Sequence, residues 1–203
     1  MERNIIVITG PESSGKSALC EALSAHFKLP WVPEYARLFL EQNGPKYNFD
    51  IIQTIFQGHL DFQAQAKENQ TGDLLILDTD SINFKVWSER VFNQSFAALD
   101  QQIPKEHHHH YLLCYPDLGW EDDPLRENPH DRLGIFKDHQ NWIEKMNRPY
   151  RIVKGQKKVR KVMREFKKGK LTSGGSKKKV KNRKQAIAIA LSEAGISKKN
   201  RRK

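Results

Sequence analysis

Apolar residues along this chain fall in short blocks that alternate between strand-like and helix-like spacing. Asn4-Ile5-Ile6-Val7-Ile8-Thr9 is a continuous apolar run closed by Gly10, the pattern of a strand buried on both faces of a parallel sheet. Ala18, Leu19, Ala22, Leu23 and Phe27 then keep helical spacing. A short segment, Trp31-Val32-Pro33, leads into Glu34-Tyr35-Ala36-Arg37. The spacing predicts a helix from Asp50 to Lys67, capped by Asp50, with Ile51, Ile55, Phe56 and Leu60 turned inward. Leu74–Leu77 and Tyr111–Tyr115 read as further buried strands, Phe136–Met146 as a helix and Tyr150–Val153 as a last strand. Gly119–Arg132 is polar, has Pro116, Pro124 and Pro129 in or beside it, and reads as a mobile loop. Strands alternating with helices predict an α/β fold of three layers, α/β/α, around a parallel sheet.

The pattern changes beyond Gly155. Val159, Val162, Met163 and Phe166 predict an amphipathic helix studded with lysine and arginine. Ser173-Gly174-Gly175-Ser176 reads as a flexible turn. Asn182 is placed to cap a second helix with Ile187, Ala190, Leu191 and Ala194 on one face, stopped by Gly195. The end, Lys198 to Lys203, has the composition of a disordered tail.

Charge sharpens this boundary. The chain of 203 residues carries +11, but residues 1–150 hold 14 lysines and arginines against 22 acids, a balance of −8. Residues 151–203 hold 21 cations and only Glu165 and Glu193, a balance of +19. Two physically distinct parts follow, a domain over 1–155 and a basic helical appendage over 156–203. The appendage would attract polyanions, nucleic acid first among them, through non-specific contact, unless it is a solvated tail or docks on the acidic domain. Phe166 is its one aromatic residue, which argues against base-stacking recognition.

Gly10-Pro11-Glu12-Ser13-Ser14-Gly15-Lys16-Ser17 carries the strongest chemical signal. It has the spacing of a phosphate cradle and sits between a buried strand and a periodic helix, the context that gives such a motif its meaning. Its glycines let backbone N–H groups point into one concavity, and the following helix adds its positive end. Gly10, Glu12, Ser13, Ser14 and Gly15 would line the phosphates of ATP, Lys16 would reach the β and γ phosphates, and the Ser17 hydroxyl would ligate Mg²⁺. Asp78 closes a strand of four aliphatic residues, the arrangement of a carboxylate that holds Mg²⁺, the alternative being a plain turn aspartate. Asp80 would either hold a substrate hydroxyl or cap a helix starting near Ser81.

Four segments in order carry a resemblance: the cradle, Glu34-Tyr35-Ala36-Arg37, Leu77-Asp78-Thr79-Asp80, and Trp120-Glu121-Asp122-Asp123-Pro124-Leu125-Arg126. Together they resemble the ribosylnicotinamide kinase domain of the NadR-type NAD-salvage family, over about residues 3–155. The resemblance implies ATP-dependent phosphorylation of the 5′-hydroxyl of nicotinamide riboside, with Mg²⁺, in the cytoplasm. It implies Glu34 as the base that orients or deprotonates that hydroxyl, and Arg37 as a contact to substrate or phosphate. It implies Trp31 and Tyr35 as stacking partners for the cationic nicotinamide ring, although both residue types are common in cores. Arg126, and less strongly Arg132, would belong to a lid over the transferring phosphoryl group. The family's nucleotidyltransferase and helix-turn-helix parts have no counterpart here, so adenylylation to NAD is not expected. Another nucleoside or nucleotide kinase, or a nucleic-acid-binding ATPase, are the alternatives. From about Val162 to Lys199 the chain resembles a small lysine-rich bacterial domain of no established activity.

His107–His110 suggest a metal cluster, or more simply a polar loop or a leftover tag, because adjacent residues on a loop cannot all face one ion. Cys20 and Cys114 are too far apart in sequence for a Cys-x-x-Cys pair and read as small buried residues of a reducing compartment. No apolar run approaches the ~20 residues of a membrane span, and none reads as a targeting segment.

Overall fold

Five strands form one sheet in the order β2-β3-β1-β4-β5: β1 (Asn4–Thr9), β2 (Trp31–Val32), β3 (Leu74–Asp78), β4 (His109–Cys114) and β5 (Tyr150–Val153). The structure, a computed structural model, describes residues 4–68, 72–173 and 178–193. It divides into two compact units, Met1–Ile152 and Val153–Lys203. The change of composition at Gly155 lies just past that division.

In the first unit, β1 pairs in parallel with β3 and β4, and β2 in parallel with β3. Ile5 and Val7 share one core with Leu75, Leu77, Tyr111 and Leu113. That face is covered by Phe62 of α3 (Phe49–Glu68), Ile82 of α4 (Ser81–Phe92) and Phe136 and Ile143 of α6 (Arg132–Lys145). Ile8, Ile76 and Cys114 face the other way, onto Leu19, Cys20 and Leu23 of α1 (Lys16–Phe27). Burial on both faces is why these strands read as unbroken apolar runs rather than alternating ones. The result is the expected α/β/α sandwich, in which each fully buried aliphatic side chain contributes about 1.5–3 kcal/mol over an exposed one.

A further core lies among helices. Ala36 and Leu40 of α2 (Tyr35–Asn43) meet Ile52, Ile55 and Phe56 of α3, Phe84 of α4 and Leu99 of α5 (Ala97–Gln102). Phe56 meets Phe84 and Phe96 edge-on, with centroids 5.2 and 5.4 Å away. Here the sequence reading needs correction. Asn48, not Asp50, caps α3: its Oδ1 accepts the Ile51 N–H at 2.9 Å, and Asp50 lies in the first turn. The strand expected from Tyr111 begins at His109, and the helix expected from Phe136 begins at Arg132. Cys20 and Cys114 are both buried thiols.

The second unit has its own core. Val162 of α7 (Gln156–Lys167) packs with Leu171, Val180 and, from α8 (Arg183–Glu193), Ala186 and Ala190. Asn182 Oδ1 accepts the Lys184 N–H at 2.8 Å, the expected cap. The buried face of α8 includes Ala190, as expected, together with Ala186 and Ile189, while Ile187 stands outside it. Most of the Ser173–Ser176 turn, Ala194, Gly195, the 198–203 tail and the side chains of Val159 and Leu191 lie outside the described residues. Among the described residues no helix is long and apolar enough to cross a membrane.

Gly10 is where the fold constrains the loop most tightly. Its φ is +134°, and an added Cβ would stand 2.7 Å from the Cys114 carbonyl oxygen of β4. Both the conformation and the space demand glycine. Gly10→Ala is expected to cost more than about 1 kcal/mol. Thermal unfolding would register it as a fall in Tm of at least about 2 °C.

Candidate active site

Strand register assembles the site. Ile8 of β1 lies level with Asp78 of β3, so the loop after Thr9 starts beside that carboxylate. Val32 lies level with Leu77, so the chain beyond β2 reaches Glu34 at the same edge of the sheet. In an open parallel sheet that carboxyl edge is where ligands sit.

The loop from Gly10 to Ser17 turns by left-handed residues: Gly10 at φ +134°, Ser13 at +51° and Gly15 at +85°. Such a succession turns N–H groups into one concavity that suits anions. Lys16 Nζ donates to the Pro11 carbonyl at 3.2 Å, so the ammonium folds back over the loop. Ser17 Oγ donates to Asp78 Oδ2 at 2.6 Å. Asp78 is 2% exposed, and its other oxygen, Oδ1, is buried with no hydrogen-bond partner. A hydroxyl and a carboxylate with a spare, water-excluded oxygen form a donor set of hard oxygens that fits Mg²⁺. Burial, and next the charge of Glu34, push the Asp78 pKa up to about 6, against the pull of Lys16 and the Ser17 bond.

Glu34 is half-buried and sits at the N-cap of α2, yet its side chain makes no capping bond. It is near enough to Asp78 and Arg37 to act on both electrostatically. Arg37 bonds Asp123 Oδ2 at 2.7 Å and Glu41 Oε1 at 3.0 Å, so its partner is an acid of the 115–131 loop. Tyr35 lies against Phe62, 5.7 Å between centroids, and covers Gly58 so closely that a Cβ there would collide with its ring. Trp31 packs among Leu29, Leu23 and Ile76. Both aromatics devote much of their area to cores.

Asp80 is a correction. It is 0% exposed, its Oδ1 accepts the Ile82 N–H at 3.1 Å, and its Oδ2 accepts from His109 Nδ1 at 2.9 Å and from the Tyr111 hydroxyl. The capping alternative is the one realised, and no face of this carboxylate is left for a substrate. The histidine run is split: His107 and His108 form the turn before β4, whereas His109 and His110 belong to the strand, the first buried and the second exposed. Next to His109, Glu106 accepts from Ser81 Oγ at 2.7 Å and from Gln102 at 3.2 Å. Burial, with Asp80 second, pushes the Glu106 pKa up to about 7. The Asp80 cap was legible in sequence; its partners were not, since nothing local pairs residue 80 with 109.

The loop over residues 115–131 has no helix or strand and folds onto the cradle. The Glu12 carboxylate accepts the backbone N–H of Glu127 at 3.2 Å and of Asn128 at 2.9 Å. Glu121 N–H donates to Ser13 Oγ at 3.3 Å. Arg132 Nη1 donates to the Leu118 carbonyl at 2.9 Å and the Ser13 carbonyl at 3.4 Å. Arg126 Nη1 donates to the Glu121 carbonyl at 2.7 Å and thus braces the loop itself. Of the two arginines, it is Arg132 that touches the cradle directly.

A buried strand, a glycine-rich turn, a helix and a paired Ser17–Asp78 define a P-loop nucleotide-binding fold. The chain belongs to the AAA domain family, matched over residues 5–160. Residues 152–201 match a family of unknown function (DUF6496). No curated protein matches the chain. Among solved structures, a NadR protein in complex with NAD and AMP-PNP is similar at 15% identity and TM-score 0.56, covering 75% of this chain and 44% of its own. A NadR protein in complex with NR is similar at 13% identity and TM-score 0.56, covering 97% of this chain and 53% of its own. This chain therefore spans about half the length of those proteins, and the likeness is one of fold.

The raised Asp78 pKa gives a signed expectation. Its neutral acid form is the one favoured by burial, and that proton must leave before the carboxylate can hold a cation. Adding Mg²⁺ should raise Tm little at pH 5 and fully above about pH 7, with the midpoint near 6. A pH-independent gain would contradict the assignment of Asp78 as the ligand.

Proposed function

We propose that this protein is an ATP-dependent small-molecule kinase of the NAD-salvage type, phosphorylating the 5′-hydroxyl of nicotinamide riboside. The observation that carries this is the meeting, at one sheet edge, of the cradle, the buried Ser17–Asp78 pair and the uncapped carboxylate of Glu34. The four-part motif order supplies the substrate class.

In this reading the N–H groups from Gly10 to Ser17 and the Lys16 ammonium hold the ATP phosphates. Ser17 and Asp78 hold Mg²⁺, which when bound supplies positive charge against the phosphate oxygens. Glu34 accepts the proton of the attacking hydroxyl, as its unengaged carboxylate allows. Arg132, seated on Ser13, and Arg126, one loop away, offset negative charge developing on the transferring group and keep water out. Trp31, Tyr35 and Arg37 border the acceptor side, with Arg37 released from Asp123 when substrate enters. We place this activity in the cytoplasm. The second unit takes no part in the chemistry; its cations make contact with polyanions.

The test is a screen of ribonucleosides with ATP and Mg²⁺, followed by product analysis. Nicotinamide riboside is expected to stimulate ADP formation; stimulation by DNA and by no nucleoside would overturn the kinase reading. Lys16→Ala should abolish transfer with the fold intact. Glu34→Gln should lower kcat by about 10²–10⁴-fold with ATP affinity nearly unchanged. A kcat within about twofold of the parent, well outside that range, would remove Glu34 from the role of base.

A further inference from the structure

The second unit combines two properties that seldom occur together in so short a segment. It has a buried apolar core and, among the described residues, an exposed surface on which cations are the majority. Val162, Leu171, Val180, Ala186 and Ala190 are buried together, with Met163, Phe166 and Ile189 packed against them. Outside that core, eleven described lysine and arginine side chains are exposed. Lys161 is paired with Glu165 at a loose 4.0 Å.

A hairpin fixes where many of these charges stand. Thr172 pairs antiparallel with Lys179, Ser173 N–H donates to the Lys178 carbonyl at 2.9 Å, and Val180 N–H donates to the Leu171 carbonyl at 2.9 Å. This register puts Leu171 opposite Val180, both buried, and Lys170 opposite Lys181, both exposed. Like charges facing each other across a hairpin are destabilising. Lys178 and Lys179 on the returning strand, opposite Ser173 and Thr172, and Arg183 and Lys184 opening α8 add further exposed cations beside that pair. A polyanion with several charges relieves this crowding more effectively than single counter-ions can.

We infer that the face formed by residues 170–173 and 178–181 and the start of α8 grips the phosphate backbone of double-stranded nucleic acid without regard to sequence. This deepens the polyanion contact proposed above by naming its partner and its residues. Three observations favour a duplex. Phe166 is the unit's one aromatic residue and is packed on the core, which leaves no platform on which unpaired bases could stack. The apolar side chains of α7 that would insert into a lipid surface, Val162, Met163 and Phe166, are turned onto the same core. Exposed cations on both strands of the hairpin and on α8 match the regular spacing of phosphates along a duplex.

The experiment uses the full chain and fluorescence anisotropy with labelled DNA duplexes of about 30 base pairs, in two unrelated sequences, across about 50–200 mM salt. Equal affinity for both sequences and a steep salt dependence are expected. The variant K179Q/K181Q/R183Q/K184Q should bind at least about tenfold more weakly at the low-salt end, with a log–log slope shallower by about 3. The charge-preserving variant K179R/K181R/R183K/K184R should keep both affinity and slope. Circular dichroism melts and ATP turnover, equal to the parent in both variants, establish that the chain is folded. Parent-like binding by the glutamine variant, salt-independent binding, or tighter binding to oligo(dT) or phosphatidylserine vesicles than to duplex would overturn the assignment. Retention on heparin or vesicles without duplex binding would sink this inference and leave the polyanion reading standing. No binding to any of them would sink both.

Discussion

The hydrogen bond between Ser17 and Asp78 is the contact around which the first unit is organised. It joins the first turn of α1 to the end of β3, two elements sixty-one residues apart in sequence. Only the parallel register of β1 and β3, with Ile8 level with Asp78, makes it possible. That register is in turn fixed by burial: a slip of one residue would turn Ile8 and Ile76 from the α1 face to the opposite core. The phosphate cradle is therefore positioned by hydrophobic packing on both faces of a sheet, before any ligand contributes.

Electrostatics at this edge are arranged in opposition. Burial, and next the charge of Glu34, raise the cost of ionising Asp78, while Lys16, the Ser17 hydrogen bond and Arg37 lower it. In the proposed kinase a divalent cation would take the unpartnered Asp78 oxygen and leave Glu34 to accept the proton. The loop over residues 115–131 is held by the same economy of groups. The Glu12 carboxylate accepts two loop N–H groups, so one residue of the Gly10–Ser17 turn organises the loop.

Much of this was legible in sequence because it is local. The β1 run, the Gly10–Ser17 spacing, the aliphatic strand ending in Asp78 and the Asn182 cap each declare themselves within a few residues. What escaped was tertiary. α2 and α5 have no clear period, because their apolar residues enter an aromatic core shared by four helices. Asp50 looked like a cap by composition, but Asn48 came first and had the right reach. His109 looked like part of a polar run, yet alternation within β4 buries it and exposes His110. Trp31, Tyr35 and Arg37 were legible as a motif, whereas their packing against Ile76, Gly58 and Asp123 depends on segments distant in the chain.

The buried polar groups around Asp80 account for how Asp78 is kept in place. Thr79, immediately after Asp78, is β-branched, buried and held at φ +73°, a conformation such residues avoid. Strain of this kind persists only where neighbours over-determine it. Here the Thr79 N–H donates to the Ile8 carbonyl at 3.0 Å, tying the turn to β1. One residue on, Asp80 is tied to β4 through His109 and Tyr111 and to α4 through Ile82. Ser81 is tied to Glu106. The turn Asp78-Thr79-Asp80-Ser81 is thus pinned from three directions, by β1, by β4 with α4, and by Glu106. Strain at Thr79 is held by these bonds, so a substitution that removes one of them is expected to disturb the Asp78–Ser17 contact as well.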